Sequence, residues 1–196
     1  MDEIILSILT PGVPKRLLQI AELCEELQNQ IVEQSVEHLV LIDNKRRTVG
    51  EKRDALLRAA RGRYVAFVDD DDLVSPNYVA RLLEASRSNP DVITFRQRVE
   101  YNDLRGEVEF RLGHHNEAFN PHGGITRRNA WHVCAWRRKL AILSAFPAIN
   151  YGEDWAFSAK LCALPNLREE HIAEVLHTYR HSSSTTEAPP PLTPSL

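Results

Sequence analysis

Cysteine is scarce in this chain, and its scarcity excludes two kinds of protein. Cys24, Cys134 and Cys162 are the only cysteines among 196 residues. Three scattered cysteines are too few for a disulfide framework, and their spacing does not match that of a structural zinc site. We therefore expect the protein to work in a reducing compartment, with the cytoplasm as the default location.

The chain also lacks a large excess of positive or negative residues, and it lacks long apolar runs. The chain has 24 Lys and Arg against 27 Asp and Glu, a formal net charge of -3. The net charge therefore gives no indication that the chain binds nucleic acid or an anionic membrane. No apolar run approaches the roughly 20 residues that cross a bilayer. A hydrophobic content of 43% is ordinary for a globular chain that buries a core.

Strand-length apolar runs alternate with amphipathic helical segments in the first half of the chain. The predicted strands are 4–9, 36–42, 64–68 and 91–100, and the predicted helices are 14–34, 48–61 and 76–87. This order favours an α/β fold with a parallel sheet and right-handed crossovers. The second half is less regular, with a hairpin strand at 107–112, helices at 137–146 and 153–163, and a last strand at 171–179.

Local signals predict where several of these elements begin and end. Thr10-Pro11-Gly12 should end the first strand. Thr48 and Glu51 have the spacing of a capping box, and Gly62 follows the second helix where a C′ glycine belongs. Ser75-Pro76 has the pattern of an N-cap followed by a proline at the first helical position. The Ser, Thr and Pro segment 182–196 should be a disordered tail.

Four consecutive aspartates, Asp69, Asp70, Asp71 and Asp72, follow the apolar run 64–68. A run without charge on either alternation phase is typical of a strand buried on both faces. Ligands of open α/β sheets bind beyond the carboxyl ends of strands, and a divalent cation would relieve repulsion between neighbouring carboxylates. Mg²⁺ and Mn²⁺ prefer oxygen ligands and often bring phosphate with them. The alternative is an acidic surface loop before the next helix.

Two other predicted strands end in polar groups that would lie on the same rim of the sheet. Thr10 and Pro11 follow the first strand, and Asp43 follows the second. Lys52 and Arg53 lie in the first turns of the helix that opens toward this rim, where cations could offset phosphate charge. Together these residues predict a site for a nucleoside diphosphate.

The stretches 50–55 and 60–72 resemble family 2 glycosyltransferases of the GT-A fold, in which a basic helix and an aliphatic strand precede an Asp-x-Asp motif. The resemblance implies a single Rossmann-like α/β domain with a central, mostly parallel sheet flanked by helices. It assigns metal binding to Asp69, Asp71 and Asp72, and it assigns the variable position to Asp70. The implied ligands are Mn²⁺ or Mg²⁺ and a nucleotide sugar, with UDP-sugar as the expected donor. Nucleotide contacts are implied for Thr10, Pro11, Asp43, Lys52, Arg53, Asp69 and Asp70.

The segment 151–155 resembles the Glu-Asp motif of the same family. The resemblance implies that Asp154, or secondarily Glu153, is the catalytic base of an inverting transfer, and Trp155 could stack on a sugar ring. It also implies that a late histidine, either His177 or His181, completes the metal shell. His132 and Trp136, in the aromatic and basic segment 127–139, are candidates for acceptor binding. The alternative is a helix or strand with Trp131 and Trp136 in the core and solvated arginines. Residues 1–100 would then form the nucleotide-sugar half and 101–181 the acceptor half of one domain.

Other functions stay open on the sequence alone. A nucleotidylyltransferase would also use metal-binding aspartates, but such enzymes usually have a glycine-rich loop, and segment 10–15 has a single glycine. A non-catalytic GT-A module could bind polyanions through its arginine clusters. An enzyme that glycosylates nucleic acid or a modified base is a third alternative. One departure from the family pattern is Asp54, which stands where an asparagine is usual. The sugar, the acceptor and the oligomeric state are not predicted.

Overall fold

The computed structural model describes residues 3–32, 35–120 and 124–181. Its elements run in the order β1 (Leu6–Gly12), a 3₁₀ turn (Pro14–Arg16), α1 (Leu17–Gln30), β2 (Val36–Ile42), α2 (Val49–Ala59), β3 (Tyr64–Phe67), β4 (Leu73–Val74), α3 (Tyr78–Ser86), β5 (Val92–Tyr101), β6 (Leu104–Phe110), β7 (Ile125–Arg128), β8 (Ala135–Arg137), α4 (Arg138–Ser144), α5 (Glu153–Cys162) and β9 (Glu169–His181). The predicted tail 182–196 lies outside the described residues. The predicted division into halves at residue 100 remains a prediction.

The strands of the described residues form one sheet with the order β2-β1-β3-β8-β5-β6-β7. β1 pairs in parallel with both β2 and β3, whereas β8 lies antiparallel between β3 and β5. β9 runs parallel to β5 and pairs with the short β4. The α/β class that the sequence predicts is confirmed.

The position of β1 between β2 and β3 creates a crevice at the carboxyl ends of β1 and β3. The crossover through α1 leads from β1 to one side, and the crossover through α2 returns to the other side. Right-handed connections in opposite directions put these two helices on opposite faces of the sheet. Such a reversal of strand order is where ligands bind in open α/β sheets.

Burial on both faces explains the charge-free sequences of the central strands. Every residue of β1 and of β3 is buried. The core beneath them includes Leu9, Phe67, Trp136 and Phe157, none of which is more than 1% exposed. The helices pack in two groups, with α1 against α3 and with α2, α4 and α5 in mutual contact. These central strands therefore give the adjoining loops a rigid base.

The predicted end of the first strand is wrong, because β1 continues through Thr10, Pro11 and Gly12. Those residues pair with the end of β2. The pairing of β1 with β3 stops at Leu9, so Pro11 lies where the strand has one neighbour and a missing N–H group is best tolerated.

Two predicted helix boundaries are also wrong. α3 begins at Tyr78, after Asn77, rather than after Ser75. The Ser75 amide instead donates to the Leu176 carbonyl of β9. Ser75 therefore continues the pairing of β4 with β9 and does not cap the helix. Gly62 is no left-handed cap, since α2 ends at Ala59 and the following residue, Ala60, has extended backbone. Its amide donates to Ser7 Oγ at 2.8 Å, and a Cβ there would lie 2.6 Å from the Ser7 nitrogen.

Candidate functional site

The four aspartates form a tight turn at the carboxyl end of β3. The Val68 amide still donates to the Leu9 carbonyl at 3.1 Å, and the Asp72 amide donates back to the Asp69 carbonyl at 3.1 Å. The last strand holds this turn from the other side. The Arg180 amide donates to Asp72 Oδ1 at 3.0 Å, and Arg180 Nε donates to the Asp71 carbonyl at 2.9 Å.

Each aspartate side chain has a different environment. Asp69 Oδ2 accepts from Arg53 Nη2 at 2.9 Å. Asp70 accepts from Arg16 Nη1 at 2.6 Å and from the Val13 amide at 3.0 Å. Asp71 lies 3.1 Å from Arg16 Nη2. Asp69 and Asp71 therefore face the crevice at the sheet switch point, whereas Asp70 ties the turn to the segment after β1.

Burial and mutual repulsion shift the acidities of these carboxyl groups. Burial, together with the charge of Asp69, raises the pKa of Asp71 to about 6. The same causes raise the pKa of Asp72 well above its usual value. Burial also disfavours the charged form of Asp69, but Arg53 outweighs it and the pKa of Asp69 is lowered. The raised pKa values of Asp71 and Asp72 reflect crowded negative charge in the turn, and a bound cation would reduce this repulsion.

The start of α2 brings basic groups to the same crevice. Thr48 and Glu51 form the predicted capping box, in which the Glu51 amide donates to Thr48 Oγ1. Lys52, one turn later, is 4% exposed and donates through Nζ to the Gly12 carbonyl at 3.1 Å. Arg53 is equally buried, and its Nε lies 3.4 Å from Glu153 Oε1. Arg53 thereby links the aspartate turn to the start of α5.

An open cavity of about 430 Å³, here called the basic cleft, lies above these groups. Its lining includes Pro11, Val13, Arg16, Lys45, Arg46, Arg47, Lys52, Arg53, Asp69, Asp70, Asp71, Asp154 and Tyr179. Cationic side chains and a short row of carboxylates thus share one wall. This combination suits a diphosphate together with a divalent cation.

Two residues that the sequence assigns to the nucleotide do not line this cleft. Thr10 has no exposed surface, and its Oγ1 is hydrogen-bonded to His38 Nε2 at 2.9 Å. Asp43 instead accepts from the amides of Lys45 and Arg47, at 3.1 and 3.2 Å. Thr10 is therefore a buried part of the sheet, which corrects the expectation that it lines the pocket. Asp43 organises the basic loop that lines the cleft.

The Glu-Asp motif opens α5 on the opposite side of the aspartate turn. Gly152 precedes it with φ of 79°, a left-handed backbone that favours glycine. Glu153 is 5% exposed and faces Arg53. The Asp154 side chain is 31% exposed, and its Oδ2 lies 3.9 Å from His132 Nδ1. Asp154 lines the basic cleft, whereas Glu153 does not.

A second cavity of about 560 Å³, here called the hairpin cavity, adjoins the first. Its walls come mainly from the β5–β6 hairpin and the neighbouring loop, and its lining includes Val99, Tyr101, Leu104, Val108, Phe110, Phe119, Arg128, Trp131, His132 and Val133. Asp69, Asp154 and Tyr179 line both cavities. The two cavities therefore meet at carboxylate groups.

The histidines and tryptophans of the candidate list have unequal positions. His177 is fully buried, with Nε2 3.5 Å from Asp72 Oδ2, and burial lowers its pKa to about 4. His181 stacks on Tyr101 with 4.0 Å between ring centroids. Trp155 is 59% exposed outside both cavities. Trp136 has no exposed surface and is a core residue, which corrects its assignment to an acceptor.

The residues of the turn fit a cation that is shared with a ligand rather than one enclosed by protein. The described part of the chain contains no group of three or more His, Cys, Asp or Glu side chains arranged to hold a metal ion. The five predicted ligands, which included His177 and His181, therefore do not form one shell. Asp69 Oδ1 is buried without a hydrogen-bond partner. Mg²⁺ sites commonly use one or two carboxylates plus substrate phosphates, which Asp69 and Asp71 could supply.

Sequence reasoning missed three residues of this site. Arg16 bridges Asp70 and Asp71 from the 3₁₀ turn after β1. Tyr179 lines both cavities, and Arg180 holds the aspartate turn. No local pattern marks Arg16, whose role depends on the path of the loop. Tyr179 and Arg180 lie in segment 176–181, which resembles the closing Tyr-Arg stretch of the family, but the resemblance assigns a role only to its histidines.

Comparison with known proteins identifies the family. Residues 19–144, more than half of the chain, match the family described as Glycosyl transferase family 2. The chain belongs to glycosyltransferase family 2. It is 26% identical over 103 residues to the putative glycosyltransferase EpsH of Bacillus subtilis (strain 168). That match covers 53% of this chain and 28% of EpsH, so the chain spans well under half the length of this curated relative.

Solved structures of similar fold share the GT-A architecture of this family 2 domain. S. aureus TarS 1-349 in complex with UDP has a TM-score of 0.66 at 16% identity, over 91% of this chain and 61% of that one. The mannosyltransferase PcManGT from Pyrobaculum calidifontis, in complex with GDP-Man and Mn²⁺, has a TM-score of 0.56 at 15% identity, over 88% and 56% of the two chains. Within the described ranges, no helix combines the length and apolarity that crossing a membrane requires.

Proposed function

We propose that this family 2 chain is a metal-dependent, inverting glycosyltransferase that transfers a sugar from a UDP-sugar to an acceptor hydroxyl. The observation that carries the proposal is the meeting of two cavities at Asp69 and Asp154. One cavity is basic and suits a nucleoside diphosphate, and the other is largely apolar. The solved complexes of TarS with UDP and of PcManGT with GDP-Man and Mn²⁺ support a nucleotide-sugar donor.

The basic cleft has the groups that a leaving diphosphate needs. Arg46 and Arg47 lie in the loop after β2 and line the cleft together with the buried Lys52. Fixed positive charge of this kind stabilises a leaving group in the transition state without reorganisation of solvent. Asp69 and Asp71 would hold the divalent cation. When bound, that cation would neutralise charge developing on the diphosphate.

Asp154 is the better candidate for the base that deprotonates the acceptor. The pKa of Glu153 is raised, mainly by burial, and its carboxylate already faces Arg53 at 3.4 Å. Asp154 lines both cavities, so it can reach a hydroxyl on one side and the donor on the other. Burial lowers the pKa of His132 to about 4, so this neighbour stays neutral near pH 7. His132 lines the hairpin cavity beside Asp154, and we keep it as a candidate for contact with the acceptor.

The alternative of a polyanion-binding module receives little support from the arginine clusters. Arg137 donates to Asp91 and Asn89, and Arg138 donates to the Gly62 carbonyl. Arg61 is paired with Glu37 at 2.7 Å. These guanidinium groups are therefore used within the fold, which leaves fewer cations for a nucleic acid. A nucleic-acid acceptor and a nucleotidylyl transfer remain outcomes that the donor and product assays below would reveal. The cytoplasmic location remains a prediction.

Titration of UDP into the whole chain, with and without Mn²⁺, tests the donor site. We expect binding that requires Mn²⁺ and that weakens about tenfold or more in Asp71→Asn, because ligand carboxylates dominate cation affinity. Glu25→Gln is the control, since Glu25 is an exposed carboxylate of α1. If none of UDP, GDP and dTDP bound, the donor site would be refuted. Equal binding of UDP with and without Mn²⁺ would refute the metal dependence.

A second experiment separates donor binding from transfer. Asp154→Asn should bind UDP normally but transfer sugar about 100-fold more slowly or worse, the usual loss when a general base is removed. The anomeric configuration of the product, read by nuclear magnetic resonance, tests inversion. A product that retains the donor configuration would contradict the role assigned to Asp154.

A further inference from the structure

The hairpin cavity is unlike the basic cleft in its chemistry. Its walls are formed by Val99, Val108 and Phe110 of the β5–β6 hairpin and by Phe119 of the following loop. Val108 and Phe110 are each only 2% exposed, so they form a closely packed apolar floor. These four side chains offer no hydrogen bond to a sugar hydroxyl group that lies against them. The polar side chains of the lining are Asp69, Asp72, Gln97, Tyr101, Arg128, His132, Asp154 and Tyr179.

The outer rim of this cavity leaves apolar surface uncovered. Leu104 is 40% exposed and Tyr101 is 41% exposed, and both line the cavity. Stacking of Tyr101 on His181 fixes its ring in place. A preformed apolar wall with an exposed rim suits a ligand that has an apolar body of its own.

Arg128 is the one Lys or Arg side chain among the lining residues of this cavity, which also include the carboxylates Asp69, Asp72 and Asp154. It lies at the end of β7. Its Nε is buried without a hydrogen-bond partner, and burial lowers the pKa of the guanidinium group. Among the described residues no carboxylate is paired with it, in contrast to Arg96 and Arg111 on the neighbouring strands. A partly exposed guanidinium group with no paired carboxylate favours an anionic ligand group.

We propose that the acceptor of this transferase is an alcohol with an apolar body and one anionic group, bound in the hairpin cavity with its anion at Arg128 and its hydroxyl at Asp154. The proposal rests on the proposed glycosyltransferase function and adds the chemical class of the acceptor. Continuity of the cavity with Asp69 and Asp154 is the geometric argument, and Arg128 supplies the charge complementarity.

The transfer itself balances without a further reactant. The acceptor oxygen forms a bond to the anomeric carbon, and the bond from that carbon to the diphosphate oxygen breaks. The electron pair of the broken bond leaves on the nucleoside diphosphate. The hydroxyl proton passes to the Asp154 carboxylate. The apolar wall excludes water from this side and so disfavours hydrolysis of the donor.

Titration with two matched probes tests the proposal on the whole chain with UDP and Mn²⁺ present. The probes are ω-hydroxydodecanoate and the neutral dodecanediol of the same length, with cellobiose as a polar comparison. We expect the hydroxy acid to bind at least about tenfold more tightly than the diol, because a charge-assisted hydrogen bond to Arg128 adds affinity. Cellobiose should not bind in the cavity. With a UDP-sugar, the hydroxy acid should also accelerate UDP release.

Matched variants separate charge from apolar contact. Arg128→Gln should bring the affinity for the hydroxy acid down to that for the diol, whereas Arg127→Gln, on the exposed neighbour in the same strand, should change neither. Leu104→Gln should weaken both probes about threefold to tenfold through lost apolar contact. Leu143→Gln is its control, since Leu143 is 80% exposed and lies outside the cavity. Both cavity positions are partly exposed, so these variants should fold.

The outcomes distinguish this proposal from the proposed function. Normal Mn²⁺-dependent UDP binding with no binding of either dodecyl probe would overturn the acceptor class and leave the donor site intact. Equal binding of acid and diol, or an unchanged Arg128→Gln variant, would overturn the anionic group. Tight binding of cellobiose with UDP release would assign the cavity to a polar glycan instead. Loss of UDP binding itself would overturn the proposed function first.

Discussion

Arg53 should be the main electrostatic support of the site, and its removal can be expressed as a cost in stability. The guanidinium group is 4% exposed, lies 2.9 Å from Asp69 and 3.4 Å from Glu153, and stacks 5.4 Å from the Phe67 ring centroid. Arg53→Met retains the apolar stem and deletes the charge, which leaves two buried carboxylates unpaired. Breaking a buried pair costs about 3–5 kcal/mol. Because the Asp69 side chain keeps 28% exposure, we expect about 3 kcal/mol.

Thermal unfolding measures this cost. For a chain of this size each kcal/mol shifts the unfolding temperature by about 2–4 °C, so Arg53→Met should unfold about 6–12 °C lower than the wild type. Arg58→Met is the matched control on the same helix, since Arg58 forms an exposed pair with Asp54 at 2.6 Å. An exposed pair contributes at most about 1 kcal/mol. Equal unfolding temperatures for the two variants would refute the reasoning.

Three further predictions concern the scaffold. His38 should make the protein less stable in acid. Burial lowers its pKa from 6.5 to about 4, so between these pH values the unfolded state binds a proton and the folded state does not. The free energy of unfolding should therefore fall by up to about 3 kcal/mol as the pH drops through this range. Urea unfolding of His38→Gln should lack this loss, and an unchanged pH profile would contradict it. Thr48→Ala should cost about 1 kcal/mol through the lost capping box, whereas Ser75→Ala, at no helix cap, should cost less than about 0.5 kcal/mol; equal losses would reverse the assignment. Gly50→Ala should lower the free energy of unfolding by about 1–3 kcal/mol, because the added Cβ would lie 1.8 Å from the Pro147 carbonyl oxygen. A variant as stable as the wild type would show that the loop at Pro147 can move away without cost.

The parts of the site that the sequence predicts are those fixed by short-range pattern. A strand buried on both faces must end somewhere, and four carboxylates at its end require a partner whatever the rest of the fold does. The capping box of Thr48 and Glu51 is likewise local. Thr10 was misplaced because its position depends on how far β1 pairs with β2, a tertiary property. Arg16 was missed because its contacts with Asp70 and Asp71 span more than fifty residues.

The same distinction holds for the fold. The alternation of strands and helices from β1 to β3 can be predicted from apolar periodicity, because each strand-helix-strand unit consists of segments that are neighbours in the sequence. β8 was not predicted, because Ala135–Arg137 is three residues long and its antiparallel place between β3 and β5 leaves no sequence pattern. Trp136 was assigned to an acceptor for the same reason, since only the insertion of β8 into the sheet buries it.

The attachment of the aspartate turn to β9 has a consequence for biosynthesis. The hydrogen bond from the Arg180 amide to Asp72 joins residues 108 positions apart. At the usual rate of about 5–20 residues per second, a ribosome takes roughly 5–20 s to make the intervening chain. During that interval the aspartate turn lacks its hydrogen bonds to Arg180, and β4 and β5 lack their partner strand β9. A nascent chain stalled before Arg180 should therefore contain all four aspartates and yet lack the hydrogen bonds that hold their turn in place.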